Sequence, residues 1–339
     1  MARTPIMKDV AKAAGVSPMT VSRAFSQDSS VSKSTREKIM AVAEQLGYVF
    51  DSTASNLRSQ KTGFVAVIIP SLNNANFADT VSALSGELAN HNLQILLGYT
   101  GYNIEEEERL IGQLLRRRPE AIVVTGGRHT AAARRMLEKS AIPVVEIWDL
   151  PDDPIDHVVG FSNAATMGGL VDHLVAQNYT RLGFIGADAD GDTRGADRRN
   201  GFLEALERHQ LDSSRLISAG PAPISMREGA EAMARLLQRF PDTEAVVCVS
   251  DLTAFGALTE CQRREIRVPG DIAVAGFGAY DISAFSVPTI TTIDAFSFDI
   301  GREAGELISS LLRNPEASRE QQIRNISPKL VVRQSTVRV

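Results

Sequence analysis

Cysteine is nearly absent from this chain of 339 residues. Its two cysteines, Cys248 and Cys261, fit neither a metal spacing nor a disulfide framework. They read as a buried strand thiol and a helix thiol in a reducing compartment. Histidine is scarce as well: His91, His129, His157, His173 and His209 fall in no HExxH or other paired metal spacing. His173 and His209 read as surface or boundary residues of helices. The chain has no Gly-x-Ser-x-Gly elbow and no Walker loop, and Gly183-Phe184-Ile185-Gly186 lacks the full dinucleotide-binding fingerprint. The pair Asp152/Asp153 sits in a Pro-rich turn. These absences argue against an enzyme and imply no cofactor and no metal. No apolar run approaches membrane-spanning length and no signal peptide precedes the first helical pattern, so the expected location is the cytoplasm, with no membrane partner.

Aromatic residues make up only 6% of the chain, with a single tryptophan, and charged residues an ordinary 23%. The net charge of −5 would argue against nucleic acid if it were evenly spread. It is not. Residues 1–61 carry nine Lys/Arg and five Asp/Glu, a net of +4 that leaves −9 for the rest. A small basic head on an acidic body suits local DNA binding without general stickiness.

The head has a definite pattern. Ile6, Val10 and Ala13/Ala14 recur at helical spacing, and Gly15 supplies a left-handed stop. Ser17 is a good N-cap and Pro18 fits the first helical position. Val21 and Phe25 can then turn inward, leaving Met19, Thr20, Ser22 and Arg23 outward on a second helix. That is the helix-turn-helix plan, in which the second helix enters the major groove. A third helix follows, capped by Ser32 or by a Ser34/Glu37 capping box, with Ile39, Val42, Ala43 and Leu46 as its stripe and Gly47 as its stop.

From Phe64 onward strands and helices alternate, the mark of parallel sheets covered on both faces. Strand patterns occur at 64–69, 94–98, 121–125 and 144–147, with helical patterns at about 77–91, 105–117 and 130–140. Glu105–Glu108 opens one helix and reads as a solvated end that complements its dipole. A second series starts near His157, with strands at 158–161, 181–186, 215–218, 245–249 and 272–276. Its helices lie near 165–177, 196–209, 226–239 and 253–263. Two such halves in tandem suggest a bilobed binding protein with a cleft between the lobes. The fold class is therefore α/β: a three-helix N-terminal domain plus two parallel, doubly wound sheets. Two functional classes share the bilobed architecture, a ligand-controlled regulator and a sugar-binding transport protein, and the N-terminal unit favours the regulator.

The chain resembles the LacI/GalR family of bacterial transcription regulators. The resemblance is carried by Asp9-Val10-Ala11, Gly15-Val16-Ser17, Thr20-Val21-Ser22-Arg23, Thr35-Arg36-Glu37-Lys38-Ile39 and Leu46-Gly47-Tyr48, and it continues to Val332-Arg333-Gln334-Ser335-Thr336. It implies a homodimer that binds double-stranded operator DNA under the control of a small-molecule effector. The DNA contacts implied are Ser17, Pro18, Met19, Thr20, Ser22 and Arg23. Residues 51–62 match a hinge that folds on the operator, where Ala54 and above all Leu57 would enter the minor groove; a leucine covering nearby core is the plainer alternative. Domains are accordingly expected at 1–50 (DNA-binding), 51–62 (hinge) and 63–339 (effector-binding and dimerisation). Lobe 1 would comprise about 63–158 plus 293–323, and lobe 2 about 159–292 plus 324–339.

Particular stretches resemble the members that regulate gluconate utilisation: Ile69-Pro70-Ser71-Leu72-Asn73-Asn74, Val159-Gly160-Phe161-Ser162-Asn163 and Ala273-Val274-Ala275-Gly276-Phe277 among them. They imply a sugar-acid effector, with gluconate or a keto or phosphorylated derivative as candidates and another sugar as the alternative. By position the pocket would include Arg198, with Arg194 as a second arginine, Phe77 (equally a core residue), Trp148, Thr125 and Ser250. Gly278 stands where neutral-sugar binders of the family commonly carry an acid, which favours an anionic ligand.

Overall fold

The chain divides at residue 62 into two units, Met1–Thr62 and Gly63–Val339. A computed structural model describes residues 4–25, 30–50, 62–187, 192–314 and 320–338.

The first unit is three helices, α1 (Met7–Ala14), α2 (Pro18–Phe25) and α3 (Lys33–Leu46). Gly15 and Gly47 end α1 and α3 in the left-handed conformation, at φ 70° and 64°. The Ser17 hydroxyl accepts from the Thr20 N–H at 3.1 Å, so α2 starts at Pro18 with its cap in place. Val10, Ala14, Val21, Ala24, Ile39 and Ala43 form the core. Phe25 stacks on Phe50 and meets Tyr48 edge-on. Three stripe positions differ from the sequence pattern: Ile6, Ala13 and Leu46 are exposed, because a stripe on so short a helix covers only its facing neighbours. Of the two expected caps of α3, Ser32 is the one used, its hydroxyl accepting from the Thr35 N–H.

The second unit holds two parallel sheets. The first has strands β1 (Phe64–Ile69), β2 (Gln94–Tyr99), β3 (Ala121–Thr125), β4 (Val144–Ile147), β5 (His157–Gly160) and β11 (Ile323–Asn325), in the order β11-β5-β4-β3-β1-β2. Helices α4 (Ala75–Ala89), α5 (Ile104–Leu115), α6 (Ala131–Glu138) and α12 (Ser297–Arg313) belong to it. The second sheet, β7-β6-β8-β9, is built from β6 (Leu182–Gly186), β7 (Leu216–Ser218), β8 (Ala245–Cys248) and β9 (Ala273–Ala275). Around it lie α7 (Asn163–Ala176), α8 (Thr193–Arg208), α9 (Met226–Arg239) and α10 (Asp251–Arg263), followed by the short α11 (Asp281–Phe285). A two-stranded antiparallel pair, β10 (Thr292–Asp294) with β12 (Lys329–Val331), runs between the lobes.

Why the helices sit so close is visible at two glycines. A Cβ on Gly301 would lie 2.1 Å from the Thr80 carbonyl oxygen, and one on Gly201 2.0 Å from that of Ala164. Backbone meets backbone between α12 and α4, and again between α8 and α7. The strands β3, β8 and β9 are buried throughout and apolar except for Thr125, as sheets covered on both faces require.

The strand expected to open the second series lies instead in the first sheet. Val145 pairs with His157 and Ile147 with Val159, and β11 extends the sheet beyond β5. Parallel neighbours normally need a helical crossover. Here the connection, 148–156, contains no helix, so the alternation that signals a new lobe is misleading at this point. The chain passes into the second lobe at α7, returns with α12 and β11, and leaves again with β12. The end of the chain is tied down there, where Ser335 Oγ donates to the Val274 carbonyl and Thr336 Oγ1 meets Thr291 Oγ1 at 2.7 Å. Among the described residues no helix is long and apolar enough to cross a membrane.

Candidate effector cavity and DNA-reading helix

All strands of both sheets are parallel within their sheet, so their carboxyl ends face one crevice, where such folds bind ligands. A cavity of about 220 Å³ lies there, between the lobes. It is walled by segments that follow β1 (Ser71, Asn73, Asn74), β2 (Tyr102), β4 (Trp148), β8 (Val249, Ser250) and β9 (Phe277, Tyr280). Four helices begin at its edge. Asn74 caps α4, Asp192 precedes α8, Ser225 caps α9 and Ser250 caps α10. Helix N-termini carry partial positive charge and favour an anion.

Aromatic rings form a continuous floor across both lobes. Phe77 meets Trp148 edge-on at 5.5 Å, Trp148 meets Phe161 at 6.0 Å, and Phe161 stacks with Phe277 at 6.2 Å. Trp148 is held by its indole N–H, which donates to Thr80 Oγ1 at 3.1 Å. Phe77 is both core and cavity wall, which resolves the alternative left open by its sequence position.

Two arginines one turn apart on α8 flank this floor, with different partners. Arg194 donates to the Thr125 carbonyl at 3.1 Å and pairs with Asp192 at 3.8 Å. Arg198 lies with its guanidinium 3.6 Å over the Phe277 ring. Its Nε donates to Asn163 Oδ1 and its Nη1 to the Val249 carbonyl. Asn163 in turn donates to the Trp148 carbonyl at 3.0 Å, linking Arg198 to the opposite lobe. Among the described residues no carboxylate pairs with Arg198, and its Nη2 donates to none of them. Burial is the main cause that pulls its pKa below the usual arginine value.

Arg194, Arg198, Phe77, Trp148 and Ser250 are thus brought together. Two expected residues are not lining side chains. Thr125 turns its hydroxyl to the Ile68 carbonyl at 2.8 Å and stands behind Arg194. Gly278, at φ +126°, lies behind Tyr280. Sequence reasoning missed Tyr102, Tyr280, Asn74 and Asp192 as wall residues and Asn163 as the support of Arg198. The available signals were the asparagine run 73–76 before a helix and a polar residue, Asn163, opening an apolar helix.

Behind the first lobe's wall sits a buried charged cluster. His129 Nδ1 is 2.6 Å from Glu107 Oε1, and its Nε2 is 3.4 Å from Glu146 Oε1. Thr130 donates to Glu108 at 2.5 Å. The acidic start of α5 is therefore not simply solvated; half of it is turned inward by partners distant in sequence. The His129 pKa rises to about 9: burial opposes its charge, but the hydrogen bond to Glu107 and the negative charges of Glu107 and Glu146 outweigh that. Among the described residues no group of side chains is arranged to hold a metal. Cys248 and Cys261 are both buried, and burial pushes the Cys261 thiol up to about 12.

In the first unit, α2 exposes Pro18, Met19 and Arg23, with Thr20 and Ser22 half-buried beside them. Val21 and Ala24 anchor the opposite face. Ala54 and Leu57 lie outside the described residues.

Known proteins agree with this geometry. Residues 6–51 match the bacterial regulatory proteins of the lacI family, and residues 171–336 a periplasmic binding protein-like domain. The HTH-type transcriptional regulator GntR of Pseudomonas aeruginosa is 36% identical over 92% of this chain and 90% of its own length. The HTH-type transcriptional regulator IdnR of Escherichia coli is 30% identical over 91% of this chain and 92% of its own. A LacI-family transcriptional regulator from Silicibacter pomeroyi superposes with a TM-score of 0.92 at 34% identity, covering 98% of this chain and 100% of that one. The relatives are regulators, as the missing catalytic motifs led one to expect. With its helix-turn-helix unit and bilobed domain, the chain belongs to the LacI family of bacterial transcription regulators.

Proposed function

We propose that this chain is a homodimeric, cytoplasmic repressor that binds a pseudo-palindromic operator and responds to an anionic sugar acid, gluconate first. The observation that carries the ligand class is Arg198: half-buried on the cavity wall, stacked on Phe277, and in no ion pair with a carboxylate among the described residues. A carboxylate entering the cavity would pair directly with Arg198, and the helix N-termini around it act in the same direction. Gly278 and Ala279 contribute no acid to oppose it, and the acid on the cavity wall, Asp192, is paired with Arg194. The relatives named as HTH-type transcriptional regulators GntR and IdnR share this helix-turn-helix regulator plan over nine-tenths of the chain.

On the DNA side, α2 of each protomer enters one half-site, with Met19, Ser22 and Arg23 toward the bases and Ser17, Pro18 and Thr20 at the helix start. Leu57, with Ala54 beside it, wedges into the minor groove. Pairing is supported by exposed apolar side chains on both lobes: Leu97 and Tyr99 on the edge strand β2, Phe285 at the end of α11 and Val287 just beyond it.

Calorimetric titration tests the ligand class. Gluconate should bind about 10- to 150-fold more tightly than glucose, the span of one hydrogen-bonded charge. Arg198→Gln should erase that difference. A phosphorylated sugar acid fits the same charge and is titrated beside it. Tight glucose binding with no response to either acid refutes the proposal.

A further inference from the structure

We infer that Tyr280 sets the size of ligand this cavity admits: seated on Gly278 and tied to Asn74, its ring closes the cavity down to a single sugar acid without a second sugar ring. This rests on the sugar-acid reading above and adds a determinant to it. Tyr280 is fixed at three points. Its backbone N–H donates to Asp251 Oδ2 at 2.8 Å. Its phenol donates across the cleft to Asn74 Oδ1 at 2.8 Å. Its ring lies where a side chain at 278 would begin: a Cβ there would be 2.5 Å from Tyr280 Cε1 and 3.0 Å from Asn76 Nδ2. The glycine is thus required twice, by its φ of +126° and by the ring.

Asn74 cannot yield easily either. The oxygen that accepts from Tyr280 also accepts from the Asn76 N–H at 3.1 Å and so caps α4. What remains is the cavity of about 220 Å³. That is the share of roughly seven water molecules at ~30 Å³ each, and it falls below the ~300–1,000 Å³ of common small-molecule sites. A six-carbon acid fits such a space; the same acid carrying a second sugar ring does not while the phenol is in place.

The full-length protein, its Tyr280→Ala and Tyr280→Phe variants, and Tyr280→Leu should be the alanine variant fail to fold, are titrated with two probe pairs. These are gluconate against lactobionate, which is gluconate bearing a galactosyl group, and glucose against lactose. The wild-type protein should bind lactobionate about 100-fold more weakly than gluconate, the penalty of overfilling a packed site. Tyr280→Ala should bring the two acids within about tenfold of each other. Tyr280→Phe keeps the ring and should keep the exclusion, while gluconate affinity falls about 2- to 12-fold with the lost hydrogen bond between the lobes. Equal wild-type binding of gluconate and lactobionate overturns the inference. So does a folded, gluconate-binding Tyr280→Ala that still rejects lactobionate. If glucose binds and gluconate does not, the charge reading fails while the glucose–lactose pair still reads the size step. Binding of neither pair removes both.

Discussion

Raising the pH from 6.5 to 9.5 should loosen the effector-binding domain through one residue, His129. Its imidazolium lies between Glu107 and Glu146 in the interior of the first lobe. The folded pKa is about 9 against an ordinary 6.5. Between those values the folded protein holds a proton that the unfolded chain has released, so stability falls as pH rises. The contribution is complete below pH 6.5 and is lost as the pH passes 9. A difference of about 2.5 pKa units corresponds to about 3 kcal/mol. For a domain of this size that is a fall in melting temperature of about 6–10 °C. Other displaced groups titrate elsewhere. Burial holds His157 and His173 below the ordinary value, so they act under pH 6.5 and with the opposite sign. Burial raises Asp251 to about 6, with its effect confined to the acid side of the window, and Cys261 lies near 12. Thermal melts monitored by circular dichroism at half-unit pH steps provide the assay. Glu146→Gln, which can still accept from the Ile155 N–H through its amide oxygen, should move the descent to lower pH. His129→Gln should abolish the descent and lower stability at pH 7 by leaving two buried carboxylates without their cation. A wild-type descent no steeper than that of His129→Gln refutes the assignment.

Arg23→Ala should cut the preference of the protein for a selected operator duplex over a random one by about 5- to 150-fold at fixed salt, the worth of one good base contact. Gel shifts in which the variant binds both duplexes with wild-type affinity would remove α2 from the role of reader. Leu57→Ala should weaken operator binding while leaving effector affinity of the free protein unchanged, measured by gel shift and calorimetry side by side. Equal loss in both assays would assign Leu57 to packing rather than to the minor groove.

What could be read without the structure followed from local rules. Ser17, Pro18 and Gly15 specify the caps of α1 and α2 within a few residues, and the short, mostly apolar runs 64–69, 121–125 and 245–249, each followed by a helical pattern, read as buried parallel strands. The strand at 157–160 misled because its membership is decided by pairing with β4 and β11, one adjacent in sequence and one more than 160 residues away. The acidic start of α5 misled for the same reason: Glu107 is turned inward by His129, and neither residue's neighbours announce the other.

The cavity shows the limit most clearly. Arg194 and Arg198 stand four residues apart on one helix, so helical spacing shows two positive charges on one face and does not rank them; only the family resemblance put Arg198 first. The fold does rank them. Arg194 is occupied by the Thr125 carbonyl and Asp192, while Arg198 retains an unpartnered Nη2 among the described residues. Gly278 is a parallel case. Read alone it is a missing carboxylate, which is a statement about charge. Beneath Tyr280 it is also a seat for a ring, which is a statement about shape. Gly278→Asp would therefore disturb both properties at once and could not by itself separate an electrostatic from a steric role. Substitutions at Arg198 and Tyr280 keep them apart, because one changes charge with the wall intact and the other changes the wall with the charge intact.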